Sequence, residues 1–284
     1  MAARKKIGQH LTSNVFSRLL CITKYFYLMQ HFISFPLSQK PLAIQTTPDA
    51  TPSGRGLRAL SALTALGLCL VLARWLLTGN VWFLVMLTWN AVLAWFPLGV
   101  MLVLHDLLAA RRISRVGAWL GLGVWLGFLP NAPYIITDLF HIQNIQAPLL
   151  WFDTMSIFLF ATMGLLTGLY STLLAHRLLN RLVVLRGRFM RQSLVWVMVL
   201  GAQALAGFGI YLGRWNSWHV LTKPWVLGQA VLDSLQTPLA IKMTLVYGFV
   251  LAGLYVAFWL FVQDTNRQPA TAPNLNRPDA QRHD

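Results

Sequence analysis

Six long apolar runs, at 57–77, 81–105, 116–129, 154–175, 193–213 and 240–262, alternate with polar stretches along this chain. Runs of about twenty apolar residues without strict alternation predict helices that cross a membrane. Every backbone N–H and C=O in hydrocarbon needs a partner inside the protein, so only helices and closed barrels cross it. The pattern predicts an all-α, polytopic membrane protein with about six transmembrane helices. Pro97 removes a helical hydrogen bond and should bend the second helix. The third run is short and ends at Pro130-Asn131-Ala132-Pro133. Pro133 disfavours helical geometry at Ala132 and has no N–H, so a regular helix cannot continue there. Glycine pairs four residues apart, Gly123/Gly127, Gly164/Gly168 and Gly209/Gly213, read as places where backbones approach closely.

The flanking segments differ from the runs. Residues 1–56 read as a basic, poorly ordered or interfacial N-terminal segment and linker, because Arg18, Lys24, Gln30 and His31 interrupt its apolar stretch. It has no small-residue cleavage site of the kind a removed signal peptide carries. Residues 57–262 form the transmembrane domain, and 263–284 read as a disordered C-terminal tail.

Composition agrees with a lipid environment: of 284 residues, 56% are hydrophobic and 11% charged, whereas soluble proteins carry about 25% charged residues. The net charge of +15 invites a nucleic-acid reading. That reading fails, since basic and aromatic residues do not interleave on a soluble module. The basic residues lie between the apolar runs, where they attract anionic headgroups, so membrane lipids are the expected partners. No protein partner or oligomeric state is legible. All eight acidic residues are aspartates, which excludes any mechanism that needs a glutamate ligand or base. Cys21 and Cys69 support neither a disulfide framework nor a cysteine zinc site.

Placement of charge also predicts threading. The segment before the first run, the loop with Arg111, Arg112 and Arg115, and the stretch 176–191 with five arginines are basic. The loops between them hold no lysine or arginine, except Arg214 and Lys223 in the last. The positive-inside rule then puts both termini in the cytoplasm and the remaining loops outside. Arg74, one turn from the end of its run, is expected to snorkel to the headgroups.

One cluster of chemically capable residues follows from this threading: Asn131 to His141, Asp153, and Arg214 to His219, all on the outward face. If helical geometry resumes after Pro133, Tyr134, Asp138 and His141 share a face. A carboxylate beside an imidazole can orient a general base or support a metal ligand. The plainer reading is that Asp138 and His141 satisfy each other at the membrane surface. Asn131 is a candidate cap for the short helix, Thr137 for a local hydrogen bond, and Asp153 for a cap on the fourth span. Asn90 reads as an interhelical anchor. Arg214, Asn216 and His219, between Trp215 and Trp218, belong at headgroup depth, where Arg214 could hold phosphate or pair with Asp138 or Asp153. His141, His219, Asp138 and Asp153 form a nitrogen and oxygen set acceptable to zinc or manganese. No HExxH or clustered-histidine motif accompanies them, so neither a metal nor a cofactor is expected. Ser217 is not in a GxSxG-type turn, which argues against a serine hydrolase.

Trp89-Asn90 with Ala94-Trp95-Phe96-Pro97, the run from Phe128 through Asp138 and Leu139 to His141, and Gly213-Arg214-Trp215-Asn216-Ser217-Trp218 together resemble the signatures of an uncharacterised bacterial integral-membrane family, one catalogued as a domain of unknown function. The likeness covers approximately 57–262. It implies a bacterial cell membrane and a multi-helix fold, and that Asn90, Pro97, Asn131, Pro133, Tyr134, Asp138, Arg214 and Asn216 match the family pattern.

The functional expectation is an integral membrane protein whose outward polar pocket binds a lipid headgroup, a small anionic ligand or a partner protein. Ligand-binding candidates are Asn131, Tyr134, Asp138, His141, Asp153, Arg214, Asn216 and His219. The alternative is a membrane enzyme acting on a lipid or envelope precursor, with His141 as base, Asp138 orienting it and Arg214 on the phosphate. A small-solute transporter is the second alternative. It is weakened because no charged residue lies at the midpoint of an apolar run.

Overall fold

The computed structural model describes residues 54–144, 149–222, 228, 231–234 and 236–267. The expectations for 1–53 and for the end of the tail lie outside these residues. Among the described residues the structure is helical: α1 (Gly54–Thr78), α2 (Val81–Ala109), α3 (Arg115–Phe128), the short α4 (Asn131–Tyr134), a 3-10 helix (Ile135–Asn144), α5 (Leu150–Leu182), α6 (Arg188–Thr222) and α7 (Pro238–Arg267). Local chemistry sets the boundaries. Gly79, at φ 66°, turns the chain after α1, a left-handed conformation that costs glycine little. The Asn80 side chain then accepts from the Trp82 N–H and starts α2, while Ser114 caps α3 by accepting from the Gly117 N–H. Helix α2 runs on through Pro97 as one element.

Among the described residues, six helical segments are long and apolar enough to cross a membrane, the third of them being Arg115–Phe140. This corrects the limits read for the third run. Helix α3 has 14 residues, about 21 Å of rise, which falls short of a hydrocarbon core about 30 Å thick. The proline corner and the 3-10 helix supply the missing length, so Pro130 to Asp138 fall within the third candidate crossing, towards its far end. Other limits move as well. Helix α1 begins at Gly54, inside the stretch read as linker, and α7 continues to Arg267, into the stretch read as tail. Helix α5 runs to Leu182. His176, Arg177, Asn180 and Arg181, read as loop, are therefore helical, and His176 is buried.

Helix α5 is the centre of the bundle: 72% of its most apolar window is buried, against 17% for α7. Val71 of α1, Leu87 and Ala94 of α2, Ile135 of the 3-10 helix, and Ile157 and Phe160 of α5 form a shared core. In lipid the apolar tails compete with such contacts, so close fit and polar bonds decide which helices pair. Both are present. A Cβ on Gly207 of α6 would lie 2.6 Å from the Gly248 nitrogen of α7. Trp95 Nε1 donates to Thr64 Oγ1 at 3.0 Å, Trp125 Nε1 to Ser171 Oγ at 3.2 Å, and Gln203 Nε2 to Thr172 Oγ1 at 3.0 Å. His176 Nδ1 and Tyr255 Oη are 2.7 Å apart, joining α5 to α7.

Candidate polar site at the broken third crossing

The Pro130–Tyr134 corner is held by two helices at once. On α5, a Cβ at Gly164 would sit 2.5 Å from the Ala132 carbonyl oxygen, and one at Gly168 would sit 3.1 Å from the Ala132 Cβ. On α6, a Cβ at Gly209 would collide with the Pro130 ring, and one at Gly213 would sit 3.1 Å from the Tyr134 ring. Two of the three glycine pairs thus receive this corner, not a neighbouring straight helix. Around Gly123 and Gly127 there is open space, so that pair is not a close-packing site within this chain.

Beyond the corner the chain forms a 3-10 helix with about three residues per turn. This corrects the α-helical face proposed for Tyr134, Asp138 and His141, because a step of four is no longer a helical repeat. The capping role read for Asn131 is also corrected. Asn131 is the first residue of α4, the cap position falls on Pro130, and no side chain caps it. Thr137 does bond locally, donating its hydroxyl to the Tyr134 carbonyl at 2.7 Å. Asp138 is 2% exposed, and its Oδ2 accepts from Asn90 Nδ2 at 2.6 Å. A buried carboxylate needs such donors, and an amide is a neutral one that α2 supplies. The bond fixes the 3-10 helix against α2.

Asp153 is engaged elsewhere. Its two oxygens accept from Arg74 Nε at 2.6 Å and Nη2 at 2.8 Å, with side-chain exposures of 9% for Arg74 and 0% for Asp153. The guanidinium lies 4.3 Å from the centre of the Phe83 ring. Two sequence readings change here. Arg74 does not snorkel, and Asp153 does not cap α5, whose cap residue Leu149 has no side-chain cap bond. The reason is depth. Arg74 lies one turn before the end of α1 and Asp153 in the first turn of α5, so two packed antiparallel helices bring opposite charges to one level. Bidentate geometry offsets a desolvation cost that a single contact would not.

Of the predicted site residues, Asn131, Tyr134, Asp138 and Asp153 are described with their side chains, and Asp138 and Asp153 have different partners. The side chains of His141, Arg214, Asn216 and His219 lie outside the described residues, although the backbone of each is helical. Among the described residues no group of three His, Cys, Asp or Glu could hold a metal ion. Arg74 was missed as a partner. The available signal was a lone arginine one turn before the C-terminal end of one apolar run and a lone aspartate at the N-terminal end of another.

Among the described residues, six helical segments long and apolar enough to cross a membrane, the third of them broken, and carboxylates buried with polar partners define a multi-pass α-helical membrane protein. The family profile described as "Protein of unknown function (DUF1361)" matches residues 89–254, and the chain belongs to that family. No curated protein and no solved structure matches it. The matched region starts at Trp89. It includes Asn90, Asp138 and Asp153, whereas Arg74, the counter-ion of Asp153, comes from the helix before it.

Proposed function

We propose that this chain is a bacterial inner-membrane protein with cytoplasmic termini, whose outward end binds a small anionic ligand, a lipid headgroup phosphate foremost. The observation that carries this reading is the seating of Gly209 and Gly213 on Pro130 and Tyr134. It ties the start of the Arg214–His219 segment to the segment that bears Asp138. Arg74 is occupied by Asp153, so the role of anion ligand falls to Arg214. Asp138, steadied by Asn90, accepts from hydroxyl or ammonium groups of the same ligand. Asn131, Tyr134, Asn216 and His219 complete the set.

An enzyme acting on a lipid or envelope precursor is the second reading. In its favour, the 3-10 backbone brings His141 one three-residue turn after Asp138, a spacing suited to a base and the group that orients it.

Cysteine labelling tests the threading. After replacement of Cys21 and Cys69, an impermeant reagent should reach position 143 and not 186 in intact cells. Equal labelling of both, or the reverse pattern, removes the outward site. For the ligand, native mass spectrometry should show a co-purifying phosphate-bearing species in the parent that is lost in Arg214→Ala. Identical spectra would overturn the anion site. Turnover of such a species by the parent and not by His141→Gln would favour the enzyme.

A further inference from the structure

The opposite end of the bundle carries a second, unassigned set of basic groups. Three arginines lie at the α2–α3 turn and five within 176–191. Among the described residues the ion pairs are Arg74 with Asp153 and His105 with Asp106, so none of these eight has a carboxylate partner there. One of them differs from the rest. Arg191 is four and eight residues before Val195 and Val199, both fully buried, and so continues the bundle-facing stripe of α6. Its Nε is buried and makes no hydrogen bond among the described residues. A guanidinium N–H turned into a protein needs an acceptor, and an anionic oxygen is the strongest one.

An aromatic cluster that starts five residues further along α6 narrows the choice of anion. On α6, Trp196 packs on His176 of α5, with ring centres 4.8 Å apart, and on Trp259 of α7 at 4.9 Å. Both tryptophans are only half-buried, so they are open to the surface where these helices meet. Indoles favour the depth at which headgroup joins acyl chain. Arg177 follows His176 directly and Arg181 stands one turn further on, both half-buried. We propose that α5, α6 and α7 hold one anionic phospholipid at this end. Arg191, with Arg177 and Arg181, takes the phosphate by the paired N–H geometry that arginine offers. Trp196 and Trp259 bear the glycerol and upper chains. General attraction of basic loops to a charged leaflet treats all exposed arginines alike; this site depends on the inward-facing one. It is separate from the Asp138 site at the other end.

Native mass spectrometry of the full-length protein in detergent, titrated with phosphatidylglycerol or phosphatidylcholine, tests the proposal. One phosphatidylglycerol should be retained in preference to phosphatidylcholine. Arg191→Gln should weaken it about tenfold or more, as loss of a charge-assisted pair implies, while Arg112→Gln on the other basic turn changes it little. Unspecific attraction of the anionic lipid to basic side chains predicts similar losses for both variants, so equal losses overturn the site, as does the absence of any preference for the anionic lipid. Excess inorganic phosphate should fail to displace the adduct; displacement would mean a free-anion site. Retention in Asp138→Asn is expected, and loss there would move the lipid to the other end. Should Arg191→Gln fail to fold, judged by gel filtration, Arg177→Gln and the charge-keeping Arg191→Lys carry the same comparison, with weakened retention expected in both.

Discussion

Replacing Asp153 by Asn leaves the Arg74 guanidinium buried, still over the Phe83 ring, with no counter-charge. Two short bonds, 2.6 and 2.8 Å, and 0% exposure of the aspartate place this pair among those that solvent does not screen. Breaking one partner of such a pair costs about 3–5 kcal/mol, whereas removing both in favour of apolar groups of similar size is near neutral or stabilising. The remaining cation–π contact contributes about 0.5–2 kcal/mol and cannot compensate. Asp153→Asn should therefore lower stability by about 3 kcal/mol or more, roughly a hundredfold in the folding equilibrium. Arg74→Met with Asp153→Leu should return to within about 1 kcal/mol of the parent. Unfolding in mixed micelles by increasing SDS, followed by tryptophan fluorescence, compares the parent, Arg74→Met, Asp153→Leu and the double variant, the four corners of one cycle. If the single effects add to the double within about 0.5 kcal/mol, the residues are not coupled and the reasoning fails.

Two further outcomes follow from the packing. Gly209→Ala forces a methyl into the Pro130 ring and should cost about 1–3 kcal/mol, whereas Gly123→Ala, which meets open space inside a helix, should be neutral or stabilise by up to about 1 kcal/mol in the same unfolding assay. Tyr255→Phe removes the partner of His176 Nδ1 and should cost about 1–3 kcal/mol; an unchanged midpoint, together with unaltered Trp196 and Trp259 emission, would show that the contact contributes nothing.

Helix number and type were legible in the sequence because a run of apolar residues in lipid has few alternatives. Helix ends were not. Arginine and histidine at 176–181 read as loop, yet His176 finds a hydroxyl on α7 and stays buried, a contact that no local pattern announces. The proline corner announced a break at Pro130 but not that the crossing continues through it, since the glycines that receive the corner lie far along the chain on α5 and α6. Asn90 could be read as an interhelical anchor from its position in an apolar run; that its partner is Asp138 required the fold. Arg74 was assigned to the headgroups and Asp153 to a helix cap, because depth, not distance along the chain, brings them together.

The third crossing also constrains how the protein is made. Its mean hydropathy is 1.2, the lowest of the six, and it carries Asp138, a residue that is costly to bury until it is paired. Helix α2, bearing the amide that will meet that carboxylate, leaves the ribosome earlier; α5 and α6, with the glycine sockets for the corner, leave later. The segment must therefore shelter against its predecessor until its successors arrive. Biogenesis of this bundle is an ordered relay in which the weakest segment is chaperoned by its own neighbours.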